Sequence, residues 1–190
     1  MQTDTATIEV WDPLLRSFHW LLVAAFALAW WSQGRDIQIH LLAGSMIPGL
    51  LLFRFIWGVI GEQQARFSSF LPARKAVLRH LGELLHLQAS RHTGHTPIGG
   101  VMIYSLLITL LILGLSGMLL MGMQMGIGLF SGWGAQTGLD TELLVENVHS
   151  WSFDMLECLI IIHLAGIMVE SVLQKTNLTA AMITGRKKTK

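Results

Sequence analysis

VHSWSFDMLECLIIIHLAGIMV, residues 148–169, decides the fold. The run is apolar and long enough to cross a bilayer, which takes about 20 residues. It carries two histidines, His149 and His163, fourteen residues apart. At 3.6 residues per turn that spacing falls about 40° short of four full turns and rises roughly 21 Å. Both imidazoles therefore leave one face of one helix, near opposite leaflets. Two side chains stacked in this way suit two cofactors, one above the other, with the remaining helices completing and enclosing the two sites.

Composition agrees with a membrane chain. Of 190 residues, 52% are hydrophobic and 13% charged, about half the usual ~25% charged of soluble domains. The apolar residues come in blocks separated by polar stretches, with no internal repeat and no low-complexity linker. The single cysteine, Cys158, excludes an internal disulfide, a haem-c attachment motif and a four-cysteine iron–sulfur cluster. The first dozen residues lack the basic-then-apolar order of a cleaved signal, so the first helix is expected to be an uncleaved anchor.

The expected fold class is all-α integral membrane, a bundle of four transmembrane helices in one domain covering residues 1–190. The spans are 14–33, 39–60, 99–122 and 143–173, the last of them helical from about Thr141. The segment from Gly61 to His95 and the tail from Lys175 onward together hold ten of the thirteen Lys and Arg residues, whereas Gly122–Asn147 holds none. By the positive-inside rule both termini and the middle loop are cytoplasmic. Arg74–Leu87 has helical periodicity with a basic side and is expected to lie along the cytoplasmic membrane surface. The Gly- and Met-rich stretch Gly122–Gly138 reads as a periplasmic loop with a short interfacial segment.

Four histidines lie in or at the edges of spans. On this topology His40 and His149 share the periplasmic level, and His19 and His163 the cytoplasmic level. Each pair draws one histidine from the last helix and one from another. That is the arrangement bis-histidine ligation of a b-type haem requires, with two neutral imidazoles on opposite faces of a flat macrocycle. A lone interfacial histidine is more often a polar anchor; four at matched depth are not explained that way. Zinc fails because neither pair has Cys or acidic ligands to finish a tetrahedron. A di-iron carboxylate site fails because no span carries Glu-x-x-His.

Arg54 lies fourteen residues after His40, on the same face and near the cytoplasmic site. It either pairs with a haem propionate or snorkels to the interface. Gly44 and Gly166, within a turn of His40 and His163, let a macrocycle or helix approach, while Gly58, Gly61, Gly114 and Gly117 read as ordinary helix packing. Asp154 and Glu157 read as hydrogen-bonded carboxyls held neutral by burial, with a quinone or proton role for Glu157 as the alternative. His80, His86, His92 and His95 match no zinc spacing and read as solvated loop residues. Met121, Met123 and Met125 read as interfacial packing.

Several stretches look familiar: VWDPLLRSFHW at Val10–Trp20, HLLAGSMIPGLLLFRFIWGVIG at His40–Gly61, ARFSSF at Ala65–Phe70, GHTPIGG at Gly94–Gly100, the paired histidines of the last span, and NLTAAMITGRK at Asn177–Lys187. Nearly the whole chain resembles the prokaryotic cytochrome b561 family, which includes the di-haem b-type subunits of nickel–iron hydrogenases. The resemblance implies a four-helix bundle with two haems b, and His19, His40, His149 and His163 match the family's axial ligands. It also implies electron transfer between the quinone pool and a redox partner. One departure is Ser150 after His149, where many relatives carry an acid.

The leading expectation is thus a di-haem electron conduit in the bacterial inner membrane. Its partners would be the lipid bilayer, a quinone, and a periplasmic c-type cytochrome, a hydrogenase-like enzyme or a small oxidant or reductant such as superoxide. The rivals are a cofactor-free structural membrane anchor of a redox complex, and a catalytic quinone-linked oxidoreductase (for example superoxide:quinone) with an open haem edge near His40 and His149. No nucleic-acid partner is expected. The cytoplasmic side near Arg54, His95 and Glu157 is the expected quinone location.

Overall fold

The computed structural model describes residues 7–71, 73–86, 94–133 and 136–188. In chain order they form strand β1 (Thr7–Glu9), helices α1 (Pro13–Ser32) and α2 (Ile37–Ile60), a 3-10 turn (Phe67–Phe70), helices α3 (Arg74–Leu85), α4 (Pro97–Met125), α5 (Leu139–Leu173) and α6 (Leu178–Thr184), and strand β2 (Arg186–Lys188). Four of these helices, α1, α2, α4 and α5, are long and apolar enough to cross a membrane. The architecture is all-α and multi-pass. Helix α4 runs to Met125 rather than 122, and α5 begins at Leu139, four residues ahead of 143. The loop between them folds back onto α4 at Gly122, where a Cβ would collide with the Phe130 carbonyl.

Side chains such as Leu21, Leu52, Ile56, Ile108 and Ile161 are exposed on these helices. On a soluble protein such surface would be a liability, whereas hydrocarbon solvates it, and only the helix backbone needs internal hydrogen bonds there. Buried positions are often small: Ala25, Ala29 and Ala43. Close backbone approach, not apolar exclusion from water, holds helices together in lipid.

Helix starts are set by local chemistry. Asp12 precedes Pro13, and its Oδ1 accepts from Leu15 N at 2.8 Å. This is an N-cap followed by a proline whose missing N–H costs nothing at the first helical position. Asp36 caps α2 through Gln38 N and Ile39 N, and Thr96 caps α4 through Gly99 N. Asn177 caps α6 through Ala180 N. The acidic first turn of α5, with Asp140 and Glu142, complements its helix dipole.

The chain forms two compact units. One contains the described residues of Met1–His19, Arg54–Tyr104 and Ile161–Lys190; the other is Trp20–Phe53 with Ser105–Ile160. They are called here the His19 unit and the His40 unit. The His19 unit is tied by a clasp that the sequence reading did not anticipate. Strand β1 pairs antiparallel with β2, with Ile8 opposite Lys187. The N–H groups of Val10 and Trp11 continue the ladder by donating to the Gly185 carbonyl at 2.8 and 3.2 Å. Gly185 has φ 81°, and a Cβ there would lie 2.9 Å from the Trp11 carbonyl. Gly185→Ala should therefore destabilise the protein by about 1–2 kcal/mol, measured as a shift in denaturant midpoint in detergent; an unchanged midpoint would show the clasp to be dispensable.

Candidate functional site

In the His40 unit, α1, α2, α4 and α5 line a cavity of about 340 Å³, within the range of small-molecule and cofactor pockets. His40 and His149 reach it from α2 and α5, both half-buried. Their ring centroids are 6.5 Å apart and their planes 80° apart. His40 Nδ1 faces the Ala29 carbonyl of α1 at 2.9 Å. His149 Nδ1 faces the Leu113 carbonyl of α4 and the Ser116 hydroxyl, both at 3.1 Å. A carbonyl can only accept, so each Nδ1 carries the proton and each Nε2 keeps its lone pair.

Glycines make this possible. His149 reaches the Leu113 carbonyl across Gly117, where a Cβ would stand 3.0 Å from its Cε1. Gly117 is thus a seat for the imidazole and not the ordinary helix packing expected of it. Gly114 receives the Pro48 ring of α2 at 3.1 Å in the same manner. Gly44, one turn after His40, lines the cavity with open space where its Cβ would be.

These residues fit a bis-imidazole haem. Their separation of 6.5 Å, with each Nδ1 turned to a carbonyl, would let the two Nε2 atoms hold the iron of a haem between them. The committed Nδ1–H donors are what metal-bound histidines require of their surroundings. The Gly44 face leaves room for a flat group.

The His19 unit brings together His19 of α1 and His163 of α5, both half-buried and within electrostatic range of each other. Open space lies beside Gly166, one turn after His163. Arg54 is buried, 3% exposed, and does not extend to solvent. Its guanidinium lies 4.4 Å from the centre of the Phe67 ring. That ring is pressed against Gly58, one turn along α2, where any Cβ would overlap it. Arg54 Nη1 is buried without a hydrogen-bond partner among the described residues. An orphaned buried guanidinium nitrogen suits a carboxylate such as a haem propionate.

Two histidines expected to be solvated are not. His95 is largely buried between Trp11 and Phe70, each ring centre 4.5 Å away. The 3-10 turn carries Phe70 there, and Gly100 allows its carbonyl to approach within 2.7 Å of where a Cβ would be. Burial, with Arg54 and Lys187 nearby, lowers His95 to about 3. His80 is 1% exposed on α3, with Nε2 3.4 Å from Glu170 of α5 and Nδ1 3.5 Å from Glu83. His86 is exposed, and His92 lies outside the described residues. Helical periodicity in Arg74–Leu87 and the proline after His95 were the available signals: a helix has an inner face, and Thr96–Pro97 marks a cap.

Asp154 is exposed and Glu157 half-buried, and neither makes a hydrogen bond among the described residues. Burial with a partner therefore does not describe them. Arg54 and His95 share the His19 unit, and Glu157 belongs to the other. Met121 lines the cavity beside His40 and His149, and Met125 ends α4. No cluster of three metal-ligating side chains occurs among the described residues.

Membrane-crossing helices that bring two imidazoles together at a cavity, each with its Nδ1 on a main-chain carbonyl, fit a haem-binding, multi-pass electron-transfer protein. The chain belongs to the prokaryotic cytochrome b561 family, whose pattern it matches over residues 10–185. That family binds haem b. No curated protein and no solved structure matches the chain.

Acid stability follows from His95. Its folded pKa, about 3, lies below the ordinary 6.5, so the unfolded chain takes up the proton first. The stability that neutral His95 contributes is complete above pH 6.5 and is lost as pH falls from 6.5 toward 3. His95→Gln, which cannot titrate, should flatten the fall in unfolding midpoint between those values. An acid limb identical to wild type would show that His95 does not set it.

Proposed function

We propose that the chain carries electrons across the bacterial inner membrane through two haems b, one held by His40 and His149, the other by His19 and His163. The electrons pass between the quinone pool and a periplasmic redox partner, a c-type cytochrome or a hydrogenase-like enzyme. On the charge distribution of the loops, the His19 unit and both termini lie on the cytoplasmic side.

One observation carries this reading: His40 and His149 meet at 6.5 Å with both Nδ1–H groups committed to main-chain carbonyls. The bound haem would supply one-electron chemistry at its iron. The chain's residues do the rest. The two carbonyls fix the imidazole tautomer and strengthen Nε2 as a ligand. The cavity lining, with Phe26, Ile47, Leu113 and Phe153, excludes water and lowers the local dielectric. Arg54 offers a planar two-pronged donor to a propionate. His19 and His163 repeat the cross-helix pairing, and α5 supplies one ligand to each unit.

The test is a reduced-minus-oxidised visible spectrum of the purified chain with a pyridine haemochrome count. Two haems per chain are expected. His149→Ala should remove one and leave the other, and His163→Ala should remove the complementary one. Gly117→Leu should mimic His149→Ala by displacing the ring from its seat. A colourless protein, or His163→Ala with both pigments intact, would defeat the assignment.

A further inference from the structure

Helix α3 is placed by its buried side. His80 Nε2 lies 3.4 Å from Glu170 of α5, and the same carboxyl oxygen accepts at 2.8 Å from Thr96, the cap of α4. Glu170 is three residues from the end of α5 at Leu173, about 4.5 Å of rise. Thr96 stands immediately before α4, which starts at Pro97. The helix is therefore attached at the ends of two membrane-crossing helices. That is the depth at which hydrocarbon gives way to headgroups.

The rest of its circumference divides into two unlike flanks. At about 100° per residue, Ala76, Val77, Glu83 and Leu84 fall within about 60° of His80, and all five are buried or half-buried. A surface helix packed on that face is expected to be polar everywhere else. Instead Leu78 and Leu81, about 100–160° to one side of His80, are 58% and 45% exposed. Lys75 and Arg79, about 100–140° to the other side, are exposed as well, and so is Arg74, one turn before Leu78. The one acid of the helix, Glu83, has Oε2 3.5 Å from His80 Nδ1 and Oε1 3.8 Å from Arg79 Nε. It keeps its charge, so three bases against one acid leave α3 at +2 with neutral histidines. The Arg79 side chain is nevertheless 74% exposed.

We propose that α3 is a binding surface for anionic phospholipid. Leu78 and Leu81 enter the acyl layer, while Arg74, Lys75 and Arg79 take phosphate headgroups. An amphipathic helix lies in the interface in this way when apolar burial and attraction to anionic lipid act together. A soluble acidic partner would match the bases and leave the leucines unused at the edge of the hydrocarbon. A zwitterionic lipid would match the leucines and leave the excess positive charge unanswered. Arg74 can lay its stem along the leucine flank and keep its guanidinium among phosphates. The proposal stands on the membrane-crossing helices and goes beyond the haem reading. Through the His80–Glu170 contact, lipid held on α3 also braces the end of α5.

The test uses the full chain in vesicles of phosphatidylcholine with phosphatidylglycerol, on a Cys158→Ser background where labels are attached. A nitroxide on Leu78→Cys should be relaxed by oxygen and shielded from an aqueous nickel chelate, and one on Arg79→Cys should be the more open to nickel. Spin-labelled phosphatidylglycerol should associate with the chain in preference to spin-labelled phosphatidylcholine. Lys75→Gln with Arg79→Gln should move that preference toward parity at an unchanged unfolding midpoint, and Lys75→Arg with Arg79→Lys should keep it. A Leu78 label open to nickel overturns the proposal. So does a label closed to both probes, or broadened by a neighbouring label, because a protein partner or a second copy would then cover the leucines. An unchanged lipid preference in the double glutamine variant also overturns it, since bases elsewhere would account for the selectivity. None of these outcomes alters the haem count, so the haem reading is tested separately.

Discussion

Each imidazole of the His40 unit has one nitrogen held by a main-chain carbonyl, and that constraint governs the arrangement around it. In an apolar environment a buried N–H must find an acceptor. The helix carbonyls already accept from their own ladder, yet each oxygen has a second lone pair. Ala29 and Leu113 use theirs on His40 and His149. Once Nδ1 is fixed, the opposite nitrogen has no choice of direction. The positions that matter most nearby are then those that let the imidazole approach a helix backbone. Gly117 is such a position, and Ser116 reinforces it with a hydroxyl that donates to the same Leu113 carbonyl.

The His19 unit solves a different problem. Here charged and titratable groups gather at helix ends, where water is near but does not reach every atom. Aromatic rings take over part of the solvation: Phe67 lies under Arg54, and Trp11 lies 4.5 Å from His95 and 5.9 Å from Lys187 Nζ. Glu170 links Thr96, His80 and Gln174, so helix α3 is tied to α5 by a polar network. The motifs ARFSSF and GHTPIGG meet in this unit, with Phe70 on His95 and on the Gly100 backbone.

The membrane spans were readable because an apolar run of about 20 residues is a strong one-dimensional signal. The shared face of His149 and His163 was readable from helical geometry alone, and the four helices could be delimited to within a few residues. The burial of His80 and His95 was not, because it depends on residues far away in the chain: Glu170 for one, Trp11 and Phe70 for the other. The strands were invisible for another reason. TIE and RKK are three-residue segments without alternation, and only their partner makes them strands. Arg54 could be flagged as a costly charge but not oriented, since Phe67 reaches it from a separate loop. Gly117 looked like any small residue of a helix interface until the His149 ring was seen against it.

The antiparallel ladder joining Thr7–Glu9 to Arg186–Lys188 has a bearing on biosynthesis. Thr7–Glu9 cannot be seated until Arg186–Lys188 has been made. Pairing across so long a separation forms late, because loop closure must precede the contacts that reward it. The His19 unit therefore matures only after both strands have been made. Removing Gly185–Lys188 would leave Val10, Trp11 and β1 without the backbone they pair with, although every hydrophobic segment remained intact.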